Sequence, residues 1–188
     1  MTCDIGGGVT RGHNKIRDWL AELMTRWTGE IALTEQHVPK WDRVERDRQG
    51  RVKRDEKGEP IWKKARLDVQ FQDVKGLLTY ADVVVTAAMS TDAGKIAQYA
   101  ATPGQAAADA EAGKRSRYRP EDNPRAALVP FAVESLGRPG PAAVHLLRAM
   151  APTDVARRGV ELQRAWRELS VLVQVRRADL LLHAARTA

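Results

Sequence analysis

Two short apolar runs, each with one aspartate inside it, constrain this chain more than any other feature. The first reads A-R-L-D-V-Q-F, with Asp68 between Leu67 and Val69; the second reads Y-A-D-V-V-V-T, with Asp82 ahead of three valines. The alternation of Leu67, Val69 and Phe71 predicts a strand over 66–72. Asp68 then lies on the opposite face with Arg66 and Gln70. The β-branched run predicts a buried central strand over 80–86. An acid inside such a run is costly unless paired, protonated or bound to a metal, which makes Asp82 the most informative single residue. The thirteen residues between the two acids are enough for a hairpin with a loose turn from Asp73 to Thr79. A hairpin sets the two carboxylates side by side.

Further on, Q-A-A-A-D-A-E-A-G-K-R-S-R-Y predicts a helix over 105–118, because alanine favours helix strongly. Lys114 and Tyr118 are four apart and share a face. Lys114, Arg115 and Arg117 crowd the helix C-terminus, where the macrodipole welcomes cations; that local role competes with a chemical one. Two acids and a lysine brought together can bind a hard divalent cation, Mg2+ or Mn2+, which takes oxygen ligands and keeps several waters. Such a cation polarises a phosphodiester and lowers the pKa of the attacking water. Lys114 would stabilise the charge of the transition state or orient the water, and Tyr118 would hydrogen-bond a phosphate. Many surface hairpins carry two aspartates, so the residue types alone do not establish this.

The rest of the chain frames these runs. Residues 1–13 are Gly-rich, with Gly6, Gly7 and Gly8 in a row, and read as a loop. Cys3 and His13 are half of a zinc site at most, too few ligands to close a tetrahedron within this chain. Ile16, Trp19, Leu20, Leu23, Met24 and Trp27 predict a helix over 14–28, stopped by Gly29. Ile31, Leu33 and Val38 predict a strand over 30–38 with those residues on one face, and with Glu35 near its end as a possible third acid; His37 has no evident partner. Residues 39–65 read as a charged, hairpin-like excursion with turns at Q-G-R and K-G-E. Its mixed charge reads first as a solvated surface, with phosphate contact secondary. Residues 87–104 read as a loop with a short helical insertion. A strand follows over 126–133, with Pro130 marking an edge or a bulge. Residues 142–188 read as helices in two pieces broken near Pro152, lined by Val144, Leu147 and Met150, then by Val160, Leu162, Trp166, Leu169, Leu172, Val173, Val175 and Leu180 to Leu182. No repeat argues for a solenoid.

The net charge is +7, and the basic pI of about 9.8 favours an anionic partner, of which nucleic acid is the commonest. No run of about 18 apolar residues is present to span a membrane. The N-terminus has neither the basic nor the apolar region of a signal peptide. The single cysteine excludes an internal disulfide framework and points to a reducing compartment, nuclear or cytoplasmic.

The residues R-L-D68, D82-V-V-V and K114-R-S-R-Y118 together resemble the restriction-like endonuclease domain at the C-terminus of non-LTR retrotransposon polyproteins, in the PD-(D/E)XK nuclease superfamily. The upstream C…G-G-G…R-G-H-N-K-I-R-D is similar to the segment before that domain, where Cys and His belong to a zinc knuckle. The resemblance covers roughly residues 3–150. It implies a mixed α/β fold with an αβββαβ core over 14–141, a small mixed sheet and C-terminal helices. It also implies a Mg2+-dependent endonuclease that nicks a DNA target strand. Asp68, Asp82, Lys114 and Tyr118 would be catalytic, Asp68 and Asp82 would hold the metal, and Arg66, Arg115 and Arg117 would contact nucleic acid. RNA or a reverse transcriptase module would be further partners. Leu67 replaces the family's motif proline, and Val84 stands where the superfamily has a D-x-K lysine; in the retrotransposon branch that lysine's role moves to the helix, hence Lys114. Two other readings compete. One is an inactive nucleic-acid-binding relic of the same fold. The other is a helical–sheet module whose C-terminal helices bind a protein through an exposed apolar stripe on 160–182.

Overall fold

The computed structural model describes residues 6–86 and 92–187, so Cys3 lies outside them. The order is α1 (Gly6–Thr28), β1 (Leu33–His37), β2 (Arg43–Val44), β3 (Trp62–Lys63), β4 (Arg66–Gln72), β5 (Leu78–Thr86), α2 (Ala93–Ala101), α3 (Gln105–Arg117), β6 (Ala127–Glu134), α4 (Pro141–Met150) and α5 (Val155–Thr187). Four strands make a mixed sheet in the order β1-β4-β5-β6. β4 runs antiparallel to both β1 and β5, while β6 is parallel to β5. A parallel pair needs a crossover, and α2 and α3 supply it. The valine-rich run is thus an internal strand, as its composition predicts. β6 is an edge, which tolerates the missing N–H of Pro130.

Helices α1 and α4 cover one face of the sheet, and α5 packs on α1. The main core lies there, around Val69, Phe71, Ala81, Val83, Phe131 and Val133. A smaller cluster on the α3 side joins Trp41, Leu67, Tyr80 and Tyr118. The Trp41 ring lies 5.7 Å from Tyr80 and 5.9 Å from Tyr118, and its indole N–H donates to the Arg119 carbonyl at 2.9 Å. Alternation along β5 therefore sends Ala81 and Val83 into the main core and turns Tyr80, and Asp82 with it, toward α3.

Several expectations are corrected. The loop expected over 1–13 is helical from Gly6 onward. Glycine disfavours helix, but tertiary contact overrides propensity here: at Gly12 α1 lies so close to α5 that a Cβ would run into the Arg176 side chain. Ile31 and Leu33 are not core residues; they are 79% and 44% exposed. β1 is an edge strand, and Glu35, at φ 55°, breaks its alternation. His37 does have a partner, Asp42, at 2.9 Å.

Along α5, Ala165, Leu169 and Val173 do the packing, whereas Val160, Val175, Leu181 and Leu182 are exposed. The tail is held against α1 by polar contacts as well. Trp19 Nε1 donates to Glu168 at 2.8 Å and Trp27 Nε1 to Glu161 at 3.3 Å. No helix among the described residues is long and apolar enough to cross a membrane.

The charged excursion carries an eight-residue repeat that its turn signals did not disclose: R-V-E-R-D-R-Q-G (43–50), then R-V-K-R-D-E-K-G (51–58). Three segments close a ring of backbone hydrogen bonds. Glu45 donates to Ile61 at 2.7 Å, Ile61 to Lys53 at 3.0 Å, and Lys53 to Glu45 at 2.8 Å. In each turn the aspartate, Asp47 or Asp55, accepts two backbone N–H groups. The glycine, Gly50 or Gly58, takes φ +81°, which other residues rarely adopt. Turn chemistry thus replaces an apolar core.

Candidate active site at the split between two strands

The register of β4 on β5 runs from Gln72↔Leu78 to Val69↔Ala81 and stops there. One step further it would pair Asp68 with Asp82. Instead Asp68 Oδ2 accepts the backbone N–H of Val83 at 2.7 Å, so a side chain takes over where the ladder ends. β5 stays paired with β6 as far as Thr86↔Glu134. The two acids therefore sit at the point where β4 parts from β5, while β4 stays paired with β1 as far as His37↔Arg66.

Helices deliver a basic group to each acid. From α1, His13 Nε2 meets Asp68 Oδ1 at 2.9 Å. From α3, Lys114 Nζ stands 2.6 Å from Asp82 Oδ2. Oδ2 is buried, and the close ion pair with the Lys114 ammonium is what compensates its charge among the described residues. The two carboxyls titrate apart. Burial pushes Asp82 up to about 6, against the pull of Lys114 and with the Asp68 charge adding to the rise. Burial also pushes Asp68 up, but the His13 hydrogen bond and charge, Asp82 and the Val83 N–H outweigh it and hold it below its ordinary value. Neighbouring carboxyls driven in opposite directions mark a site that can hold or move a proton near neutral pH.

The other expected residues fall around this pair. Glu35 would face Asp68 in the β1–β4 register, but its carboxylate is engaged by Arg17 and by Arg66 at 3.7 Å. Its positive φ is the only one at a non-glycine residue among the described residues. Tyr118 is the C-cap residue of α3; its ring is buried in the smaller cluster, which gives the ring a packing role. Arg115 reaches Glu111 at 3.6 Å, and Arg117 and Arg66 are exposed.

Two residues escaped the reading of the sequence. His13 was assigned only to zinc, yet it lies one turn before Ile16 and Leu20 on the buried face of α1, a spacing that could have pointed it at the sheet. Glu111 is buried and accepts the Ala142 N–H at 3.0 Å, capping the N-terminus of α4. Burial raises its pKa, against the pull of that N–H. The spacing Ala107, Glu111, Lys114, Tyr118 is the signal for it: one helix face carries the cap, the cation and the aromatic.

The His13 contact is testable. His13→Ala is expected to lower stability by about 1–2 kcal/mol near pH 7, since it strips a charge-assisted bond from a largely buried carboxylate. Urea unfolding reads this, and an unchanged midpoint would mean that the contact contributes nothing.

As oxygen donors, Asp68 and Asp82 suit a hard divalent cation, which would compete with Lys114 for Asp82 Oδ2. No three His, Cys, Asp or Glu side chains come together as a metal-holding group among the described residues. Two carboxylates would therefore share a cation with water, backbone or phosphate oxygens. Comparison with models of known families finds no match for this chain, and comparison with curated proteins finds none either.

Proposed function

We propose that this protein is a metal-dependent DNA endonuclease of the PD-(D/E)XK type, similar to the restriction-like domain of non-LTR retrotransposons. The observation that carries the proposal is the meeting of Asp68, Asp82 and Lys114 where β4 parts from β5. Bound Mg2+ would polarise the phosphodiester and make water a better nucleophile. Asp82 and Asp68 would hold the cation, Asp68 while anchored by His13 and the Val83 N–H. Lys114, beside Asp82 at 2.6 Å, would stabilise charge that develops on the phosphate oxygens. Val84 occupies the position of the superfamily lysine, and an ammonium arriving from α3 supports the transfer of that role to Lys114.

One observation favours a second reading, a DNA-binding relic. Both oxygens of Asp68 already accept protein donors, which leaves less of this carboxylate for a metal. Supercoiled-plasmid nicking separates the two readings. The natural chain is expected to nick with Mg2+ and not with EDTA. Lys114→Ala is expected to retain DNA binding and lose roughly 100-fold in nicking rate. No nicking by the natural chain under conditions where it binds DNA would leave the relic.

A further inference from the structure

We infer that the ring-closed excursion over residues 43–64 is a grip for single-stranded DNA, with Trp62 as its base-stacking platform. This segment holds nine Lys or Arg against five Asp or Glu, which is +4 of the chain's +7. Much of the acidic charge is already used inside the fold. Asp47 and Asp55 hold the two turns, and Glu45 is paired with Lys53 at 3.5 Å.

The cations are arranged differently. Arg43 and Lys63 stand directly opposite one another in the β2–β3 ladder, and like charges so placed destabilise a strand pair. An anionic partner between them would relieve that repulsion. The adjacent rung pairs Val44 with Trp62, and Trp62 is 60% exposed, an unusual position for so large an apolar ring. Arg43, Arg46, Trp62 and Lys63 line one groove together with Asp42 and Glu45. Asp42 is engaged within the protein by the Ala65 N–H at 2.7 Å and by His37 at 2.9 Å, and Arg46 is steadied by the Gly50 carbonyl at 2.8 Å.

An exposed aromatic ring among cations, in a groove whose acids are already satisfied, is the chemistry that binds unpaired nucleotides: bases stack on the ring and phosphates meet the cations. Duplex DNA hides its base faces and would use only the cations. The choice of DNA over RNA rests on the nuclease reading above; the groove itself does not.

The experiment is fluorescence anisotropy of a labelled twenty-nucleotide oligo-dT with the full chain in EDTA, so that catalysis plays no part. Because binding is read in EDTA with no cleavage step, the outcome is separate from the fate of the nuclease reading. Trp62→Ala is expected to weaken oligo-dT binding roughly tenfold, with Trp62→Phe recovering most of the loss. The double variant R43Q/K63Q is expected to make the salt dependence of log K shallower by about 1.4 in slope. Circular dichroism checks that each variant is folded. Binding by Trp62→Ala within twofold of the natural chain, or equal loss by Trp62→Phe and Trp62→Ala, would overturn the stacking platform. An unchanged salt slope in R43Q/K63Q would overturn the phosphate contacts. Tighter binding of oligo-U than of oligo-dT would overturn the assignment to DNA.

Discussion

Asp82→Asn is expected to abolish magnesium-dependent nicking, by on the order of 1,000-fold or more, and to leave the protein more stable than the natural chain at pH 8. Both outcomes have one cause. Asp82 is buried, and burial raises its pKa despite the Lys114 ammonium 2.6 Å away, so its negative charge is only partly compensated until a metal cation arrives. Asparagine removes the charge the cation needs, and electrostatic groups of this kind contribute most of the rate in many enzymes. The sign of the stability effect follows from the titration. The folded carboxyl titrates near 6 against an ordinary 3.8, so the fold binds this proton more tightly than the unfolded chain does. The stabilisation is complete below the ordinary value and is lost as pH rises through 6, an effect of at most about 3 kcal/mol. Asp68, held below its ordinary value, acts in the opposite sense and loses its contribution as pH falls. It is present in both proteins, so the difference between them reports mainly on Asp82. Urea unfolding in EDTA should put Asp82→Asn above the natural chain at pH 8 and bring the two together near pH 4. Nicking by the variant within a few fold of the natural chain would sink the catalytic role. A variant less stable than the natural chain at pH 8 would mean that Lys114 satisfies the ionised carboxyl.

The second large effect is structural. Phe131→Ala is expected to cost about 3–5 kcal/mol, a large share of the roughly 5–15 kcal/mol that holds a domain of ordinary stability. Phe131 lies on β6, fully buried, at the centre of the core that α1, α4 and α5 share with the sheet. Its ring is 6.3 Å from Trp19 at a tilt of 58°. The alanine would leave a cavity between the sheet and the helix that carries His13. Thermal unfolding should fall by about 8–15 °C for a chain of this size, and tryptophan emission should shift as Trp19 loses its neighbour. A loss below about 1 kcal/mol would mean that the helices close over the gap at little cost.

These predictions differ in how much of them could be read along the chain. The burial of Asp82 was legible because three β-branched residues beside it demand a covered strand. The face shared by Lys114 and Tyr118 was legible because helical spacing is a local property. Pro130, which has no N–H to give to a second neighbour, limited β6 to an edge or a bulge, and the sheet order made it an edge. The core assignments of Ile31 and Leu33 failed, and the contact of His13 with Asp68 went unforeseen, for one reason. Each depends on which element arrives from far along the chain, or on a backbone angle such as that of Glu35, which composition does not encode. The eight-residue repeat was present in the sequence all along. Its significance lies in hydrogen bonds that close only when residues 45, 53 and 61 meet.

By itself the sequence determined the periodic elements, the basic charge, and the presence of one acid inside an apolar strand with a cation on a later helix. These are consequences of side-chain spacing and of the cost of burying charge. Only the tertiary structure decided that β4 parts from β5 at the acids, that His13 and Lys114 approach from opposite sides of the sheet, and that Arg17 and Arg66 engage Glu35. Those outcomes join residues tens of positions apart, and the packing of whole elements selects them.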